Sequence, residues 1–353
     1  MTTCRAVVFN GDGTYDIRTF AKPKPPAAGA VIEVEAVGMC SSDVSQLAGH
    51  KHVPGEVAPV VAGHEMVGRV AELADDADLG VSVGDRVAVD LMLRGRSSLG
   101  KFVVYGYTLG LDEQSGLWGG YGEYMSVLPG TNLMKLTESL PAEHLTIFEP
   151  LANAVNWVEL AGIGEGQSVV VQGPGHVGLM CVVAAKIAGA ATIVATGTSA
   201  DALRLQAART AGAQHTINVD EEQMGARVKE ITRGGGADAV ITCAPMSTEA
   251  LQQALDAVRF GGTLVLAGLN DMAPVEIVAD KIVLGSLCVK GGAGSTERSM
   301  KAAVSYLNEG RVPTEALLGE VLSLDDFDEA LALLKREHPA REAIRVTVRH
   351  HAA

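Results

Sequence analysis

Aromatic side chains are scarce in this 353-residue chain, with Phe, Trp and Tyr making up 4% of it and only two tryptophans present. A platform that stacks the bases of single-stranded nucleic acid needs such rings, so this function class is poorly served. Basic residues are also outnumbered, 28 Lys and Arg against 42 Asp and Glu, for a formal charge of −14. Phosphate backbones and anionic lipid headgroups would be repelled, which makes nucleic acid and membrane poor partners. No apolar run reaches the roughly 18 residues of a membrane-spanning helix. The opening segment 1–10 (MTTCRAVVFN) reads as a first strand rather than the apolar core of a signal peptide. The five cysteines, Cys4, Cys40, Cys181, Cys243 and Cys288, include no C-x-x-C pair, so they describe neither a disulfide framework nor a closed zinc knuckle. A cytoplasmic setting is expected.

What the chain does have is length for about two domains, a 47% apolar composition and 41 glycines. Over residues 1–150 the apolar runs are short, β-branched and punctuated by Gly and Pro, as in 31–37 (VIEVEAV), 66–70 (MVGRV) and 86–90 (RVAVD). This is the pattern of a strand-rich module. From 151 the rhythm changes. Buried strands at 168–172, 192–195, 215–219, 239–242 and 263–267 alternate with helical patterns at 177–188, 201–210, 222–231 and 248–258. Such alternation implies βαβ units on a parallel sheet covered on both faces, a doubly wound α/β domain. The alternation stops near 290, and the tail, with helices near 296–308 and 325–335 and a last strand at 343–348, is expected to return to the N-terminal module. The expected division is therefore 1–150 with 290–353, and 151–289.

Directly after the strand at 168–172 comes Gly173-Pro174-Gly175-His176-Val177-Gly178. In this G-x-G-x-x-G the first Gly permits a tight turn, the second lets the backbone approach a pyrophosphate, and the third lets helix pack on strand. The unpaired amides of the helix start then bind the anion. A lone motif of this kind is weak, but its place between a strand and a helix in a βαβ series points to a dinucleotide. Where an NAD-selecting carboxylate would stand, at the end of the next strand, the chain has Gly197-Thr198-Ser199. That leaves space for a 2′-phosphate within reach of Arg204, and the sequence leans to NADP over NAD. Arg204 also reads as a solvated surface charge, and Asp201 lies slightly late for the acidic role, although a longer loop could bring it in.

Two fragments of the first module carry metal-ligand chemistry: Gly38-Met39-Cys40-Ser41-Ser42-Asp43 and Gly63-His64-Glu65. A thiolate, an imidazole and a carboxylate converging from separate loops make a mixed donor set suited to zinc, with a fourth position open. By spacing alone the same residues also read as a buried thiol and a satisfied histidine.

Taken in order, Cys40-Ser41-Ser42-Asp43, Gly63-His64-Glu65-Met66-Val67-Gly68, Gly84-Asp85-Arg86-Val87, Gly119-Gly120-Tyr121-Gly122-Glu123-Tyr124 and the phosphate loop resemble the zinc-dependent medium-chain alcohol dehydrogenases, in the polyol and threonine dehydrogenase branch. The resemblance implies a GroES-like catalytic domain joined to a Rossmann domain. It implies a zinc-dependent oxidoreductase that moves a hydride between an alcohol or polyol and NAD(P), as a homodimer or homotetramer. It further implies one catalytic zinc held by Cys40, His64 and a carboxylate, with Glu65 or, in Phe148-Glu149-Pro150-Leu151, Glu149 supplying the carboxylate. The nucleotide would be held by Gly173, Gly175, His176, Val177, Gly178, Gly197, Thr198, Ser199 and Arg204. Ser42 stands at the family's proton-relay hydroxyl, but the His usual three residues later is Ser45, with His50 and His52 nearby. Members with a second, structural zinc carry four cysteines in the lobe that here spans 90–118, and this lobe has none. The readings set against this one are a zinc-free reductase of the same superfamily and a nucleotide-binding protein without catalysis.

Overall fold

The computed structural model describes residues 2–95, 97–245, 247–270 and 272–350. The chain forms two compact units. One comprises Met1–Glu149, Val304–Glu309 and Leu318–Ala353; the other comprises Pro150–Ala303 and Gly310–Leu317.

The first unit is built on strands that alternate or run apolar because one face, and in places both, is covered. Its central strand, Ala30–Gly38, is buried at seven of nine positions. It pairs antiparallel with Glu65–Leu73 on one side and with Tyr124–Val127 and the C-terminal Val346–Arg349 on the other. A seven-stranded sheet results, beside a three-stranded one formed by Thr3–Phe9, Tyr15–Ala21 and Val60–Val61. Phe9, Trp118, Tyr105, Tyr121 and Phe327 fill the core between them. Burying rings of this size contributes about 1.5–3 kcal/mol each.

The second unit carries a six-stranded sheet, parallel throughout, in the spatial order His215–Asn218, Thr192–Gly197, Ser168–Gln172, Ala237–Thr242, Val258–Leu266, Cys288–Gly291. Numbered along the chain this is 3-2-1-4-5-6, the doubly wound order. Ligands of such sheets bind at the carboxyl ends of the strands where the order reverses, here between Ser168–Gln172 and Ala237–Thr242. Both strands are nearly continuous apolar runs because helices cover both faces. The helix His176–Ile187 is apolar almost all round, with eight consecutive buried residues from Gly178 to Ala185, and it ends where Gly189 takes φ +90°.

Two features differ from the sequence reading. Residues 290–303 and 310–317 belong to the second unit, so the chain returns to the first only at Val304. The cause is the sixth strand, Cys288–Gly291, a short sheet edge whose CVKG has no readable alternation. A seven-residue helix, Ser41–Leu47, also follows Cys40 directly. Among the described residues no helix is long and apolar enough to cross a membrane.

Candidate metal centre and nucleotide site

The strand Ala30–Gly38 delivers Cys40 to the N-cap of Ser41–Leu47, in extended conformation (φ −121°, ψ 155°). The Cys40 N–H donates to Asp43 Oδ2 at 2.8 Å, which fixes the turn. Sheet register does the rest, since Gly38 pairs with Glu65. Gly63, at φ +89°, swings the chain into His64, and a side chain there would press within 2.9 Å of the Tyr121 backbone nitrogen. A Cys40 sulfur, a His64 ring nitrogen and a Glu65 carboxylate oxygen consequently lie within 4.8 Å of one another. Soft and hard donors of these three types, with His64 and Glu65 buried, fit zinc, and three protein donors leave a tetrahedral ion one open position.

Around the donors sits a layer that orients them. Asp43, fully buried, accepts from the Tyr121 hydroxyl at 2.7 Å and lies 3.3 Å from His64 Nδ1 through its other oxygen. The Tyr107 hydroxyl lies 3.2 Å from the same nitrogen and donates to Ser42 Oγ at 3.2 Å. Burial disfavours the charged form of His64, but Tyr107, Asp43 and Cys40 outweigh it and hold the ring's pKa well above the usual value. Glu65 is ion-paired with Arg345, both side chains being essentially inaccessible, and Arg345 Nη2 also donates to Thr146 O at 3.1 Å. Gly38 lies against this pair, and a methyl group there would collide with both charged groups.

Of the residues singled out from the sequence, Cys40, His64 and Glu65 come together. Glu149 is buried in the first turn of Phe148–Ala161 but does not join that set of donor atoms. His50 and His52 stack edge to face 6.3 Å apart. The sequence carries no signal for the link from Tyr107 to Ser42, and sequence reasoning missed the role of Arg345. Arg345 lies 280 residues from Glu65, and its one signal is a cation inside an otherwise apolar closing strand.

The phosphate loop has the expected form. Gly173 takes φ +95°, Gly175 is the N-cap of His176–Ile187, and His176 and Val177 open that helix half-buried. Gly178 packs so closely on the loop that a methyl group would strike the Gly173 carbonyl oxygen, whereas a Cβ on Gly175 would meet nothing within 4 Å. A cavity of about 280 Å³ lies beside the loop, lined in part by Gly173, Gly197, Thr198, Asp201, Asp220 and Ala244. Thr198 is tied to Asp201 Oδ2 through its N–H and hydroxyl, at 2.9 and 2.8 Å. The Ser199 N–H donates to Asp220 at 2.7 Å. Arg204 is buried in the helix Ala202–Ala211 and is not a solvated surface charge.

A strand-rich unit with a thiol–imidazole–carboxylate set, and a doubly wound unit with a phosphate loop, together define a nucleotide-dependent metal oxidoreductase. Residues 26–138 match the alcohol dehydrogenase GroES-like domain, and residues 177–309 match the zinc-binding dehydrogenase domain. The chain is 32% identical to a probable alcohol dehydrogenase of Mycobacterium tuberculosis, over 94% of this chain and 95% of that one. It is 29% identical to a sorbitol dehydrogenase of Halalkalibacterium halodurans, over 96% of each. It superposes on the crystal structure of 2R,3R-butanediol dehydrogenase from Bacillus subtilis with a TM-score of 0.83 and 27% identity, covering 99% of this chain and 100% of that one. The chain belongs to the zinc-type medium-chain dehydrogenases/reductases and is an oxidoreductase of the alcohol dehydrogenase kind, acting on small molecules.

Proposed function

We propose that this protein interconverts a small secondary alcohol or polyol and its ketone, or an alcohol and its aldehyde, with one zinc ion per chain held by Cys40, His64 and Glu65. Glu149 is the carboxylate that would take over from Glu65 if the site rearranged. The observation that carries the reading is the convergence of those three donor types within 4.8 Å. A single zinc agrees with the absence of cysteine from 90–118. The relatives named for sorbitol and butanediol support a polyol or diol over a long-chain alcohol.

When bound, zinc supplies Lewis acidity that lowers an alcohol's pKa, and the nicotinamide supplies a hydride acceptor. Asp43, with an oxygen 3.3 Å from Nδ1 of His64, would keep the proton on that nitrogen when Nε2 loses its own to metal binding, leaving Nε2 with the lone pair a metal needs. Tyr107 donates to Ser42 Oγ, so the Ser42 hydroxyl proton is turned away from Tyr107, and Ser42 takes up and passes on the proton of the alcohol. Arg345 balances the Glu65 charge in the dry interior. The phosphate loop and the start of His176–Ile187 hold the pyrophosphate, with Gly197, Thr198 and Ser199 at the adenosine ribose. The sequence leaned to NADP because no carboxylate ends the strand Thr192–Gly197. The cavity, however, is lined by three carboxylates, Asp201, Asp220 and Glu249, and the two beside Thr198 and Ser199, Asp201 and Asp220, would repel a 2′-phosphate, so NAD is the preferred form.

A homodimer or homotetramer in the cytoplasm belongs to the same reading. The sheet edge Cys288–Gly291 and the helix before it leave Val283 and Leu284 about three-quarters exposed, an apolar edge of the kind that self-association covers.

Metal analysis of purified protein, combined with an alcohol and ketone panel run with NAD and NADP, tests all of this. About one zinc per chain and an alcohol-dependent rise in reduced nicotinamide absorbance are expected, with the larger kcat/KM for NAD. Protein that holds no zinc, or Cys40→Ala with full activity, would return the zinc-free reductase, and no turnover at all would return the non-catalytic binder.

A further inference from the structure

Two cysteines outside the metal centre face each other, Cys181 Sγ and Cys243 Sγ standing 3.6 Å apart. They lie beside the end of the phosphate loop, where a Cβ on Gly178 would come within 3.6 Å of Cys243. Cys181 lies on the helix His176–Ile187, three residues after Gly178, and is wholly buried. Cys243 follows the strand Ala237–Thr242, at the point where the strand order reverses. Its N–H donates to the carbonyl of Gln172 at 2.7 Å, as does that of Ala244 at 3.1 Å, and Gln172 immediately precedes Gly173. A side chain on Gly173 would press within 2.7 Å of the Ala244 nitrogen, so the contact has no slack. Cys243 is half-buried, and the next two residues, Ala244 and Pro245, line the nucleotide cavity.

We propose that Cys181 and Cys243 are an oxidation site, a dithiol that a hydroperoxide converts to a disulfide, and that this bond disables the phosphate loop. The second half rests on the nucleotide reading given above. Cys243, half-buried and next to the cavity-lining Ala244, is the thiol the oxidant reaches, whereas Cys181 is wholly buried; burial and its neighbour push the Cys181 thiol up and keep it protonated. The Cys243 sulfur, as thiolate, attacks one peroxide oxygen; the O–O bond breaks, the alcohol leaves with a proton, and Cys243 is oxidised to a sulfenic acid. Cys181 sulfur then attacks the Cys243 sulfur; the S–O bond breaks, and water departs with the Cys181 proton as the S–S bond forms. Two thiols and one hydroperoxide thus give one disulfide, one alcohol and one water, and an external dithiol reverses the step by exchange. A disulfide holds its sulfurs about 2.05 Å apart, so they must close by about 1.5 Å from their present contact. Cys181 is carried by the helix that the loop opens, and Cys243 is hydrogen-bonded to the residue before Gly173, so this closure draws on both ends of the loop. Bound dinucleotide covers the approach to Cys243 and slows the reaction.

The test uses the full chain, nucleotide-free, treated with hydrogen peroxide, alkylated and digested for mass spectrometry, with NAD and NADP binding followed by calorimetry. A peptide linking positions 181 and 243, lighter by two hydrogens and released by dithiothreitol, is expected. Nucleotide affinity of the oxidised protein should fall about tenfold or more, as when a loop amide no longer reaches its phosphate. Preloading with nucleotide should slow the cross-link. Cys243→Ser should abolish the link and make binding indifferent to peroxide, while Cys181→Ser should leave a sulfenic acid at 243 that dimedone traps. Absence of the linked peptide in the nucleotide-free protein overturns the oxidation site, and a linked protein with unchanged affinity overturns the switch. If the reduced protein binds neither nucleotide, the nucleotide reading fails and the switch with it, whereas the linked peptide would still establish the oxidation site.

Discussion

The Asp43 carboxylate lies 3.3 Å from Nδ1 of His64, inside a wholly buried pocket, and its other oxygen is committed to Cys40 N–H and the Tyr121 hydroxyl. One residue therefore ties the loop that presents the thiol to the ring that presents the nitrogen. Replacing it by the isosteric amide, Asp43→Asn, keeps the volume but weakens the hold on the His64 tautomer. Zinc affinity should drop by about 10–100-fold. Competition with a chromophoric chelator measures this, and an unchanged affinity would remove Asp43 from the orienting layer.

The Glu65–Arg345 pair makes a second prediction. Both charges are out of water, so removing one strands the other. Arg345→Met should destabilise the protein by about 3–5 kcal/mol, whereas adding Glu65→Gln to it should restore part of that loss. Urea denaturation of the two single variants and the double variant closes the cycle. Simple additivity would mean that the pair is not coupled, contrary to its geometry.

The doubly wound unit was legible because its strands are buried on both faces and its helices are long enough to show their period; Ser168–Gln172 falls within the boundaries read from sequence. The phosphate loop was legible for a local reason, a glycine spacing in which Gly173 serves a turn and Gly178 close packing, while Gly175 leaves open space beside the helix start. Cys40 and His64 stood out by residue type, but their convergence depends on the register of Gly38 with Glu65, which no short-range pattern carries. Arg345 and Tyr107 were beyond reach for the same reason: each meets its partner across dozens to hundreds of residues. Cys288–Gly291 was missed because an edge strand of four residues needs no alternation, and the boundary of the second unit moved with it.

A pH dependence follows from Asp238. Burial alone would raise its pKa, but hydrogen bonds from Ser168 N at 2.8 Å and Oγ at 2.7 Å, with Arg259 Nε at 2.7 Å, outweigh burial and lower it. A depressed folded-state pKa contributes stability that is fully present above the unfolded value, about 3.9, and is lost as pH falls through the folded one. The stability difference between the native chain and Asp238→Asn should hence be largest near neutrality and shrink below about pH 4. Urea midpoints of both proteins across that range give the comparison, and a gap that widens on acidification would contradict the assignment.

Gly175 and Gly178 separate folding from binding. Gly175 sits at φ −65° and ψ 176°, where alanine is unstrained, and a methyl group there would touch no protein atom within 4 Å. It would instead occupy the space a pyrophosphate needs. Gly175→Ala should leave the urea midpoint within experimental error and weaken nucleotide binding. At Gly178 a methyl group drives into the Gly173 carbonyl, so Gly178→Ala should cost about 1–3 kcal/mol of stability and weaken nucleotide binding as well. Zinc content should stay at the native level in both, because the donor set is built from Cys40, His64 and Glu65 in the other unit. Calorimetric titration with NAD beside metal analysis decides the matter. If Gly175→Ala bound nucleotide as the native chain does, the second glycine would not face the pyrophosphate.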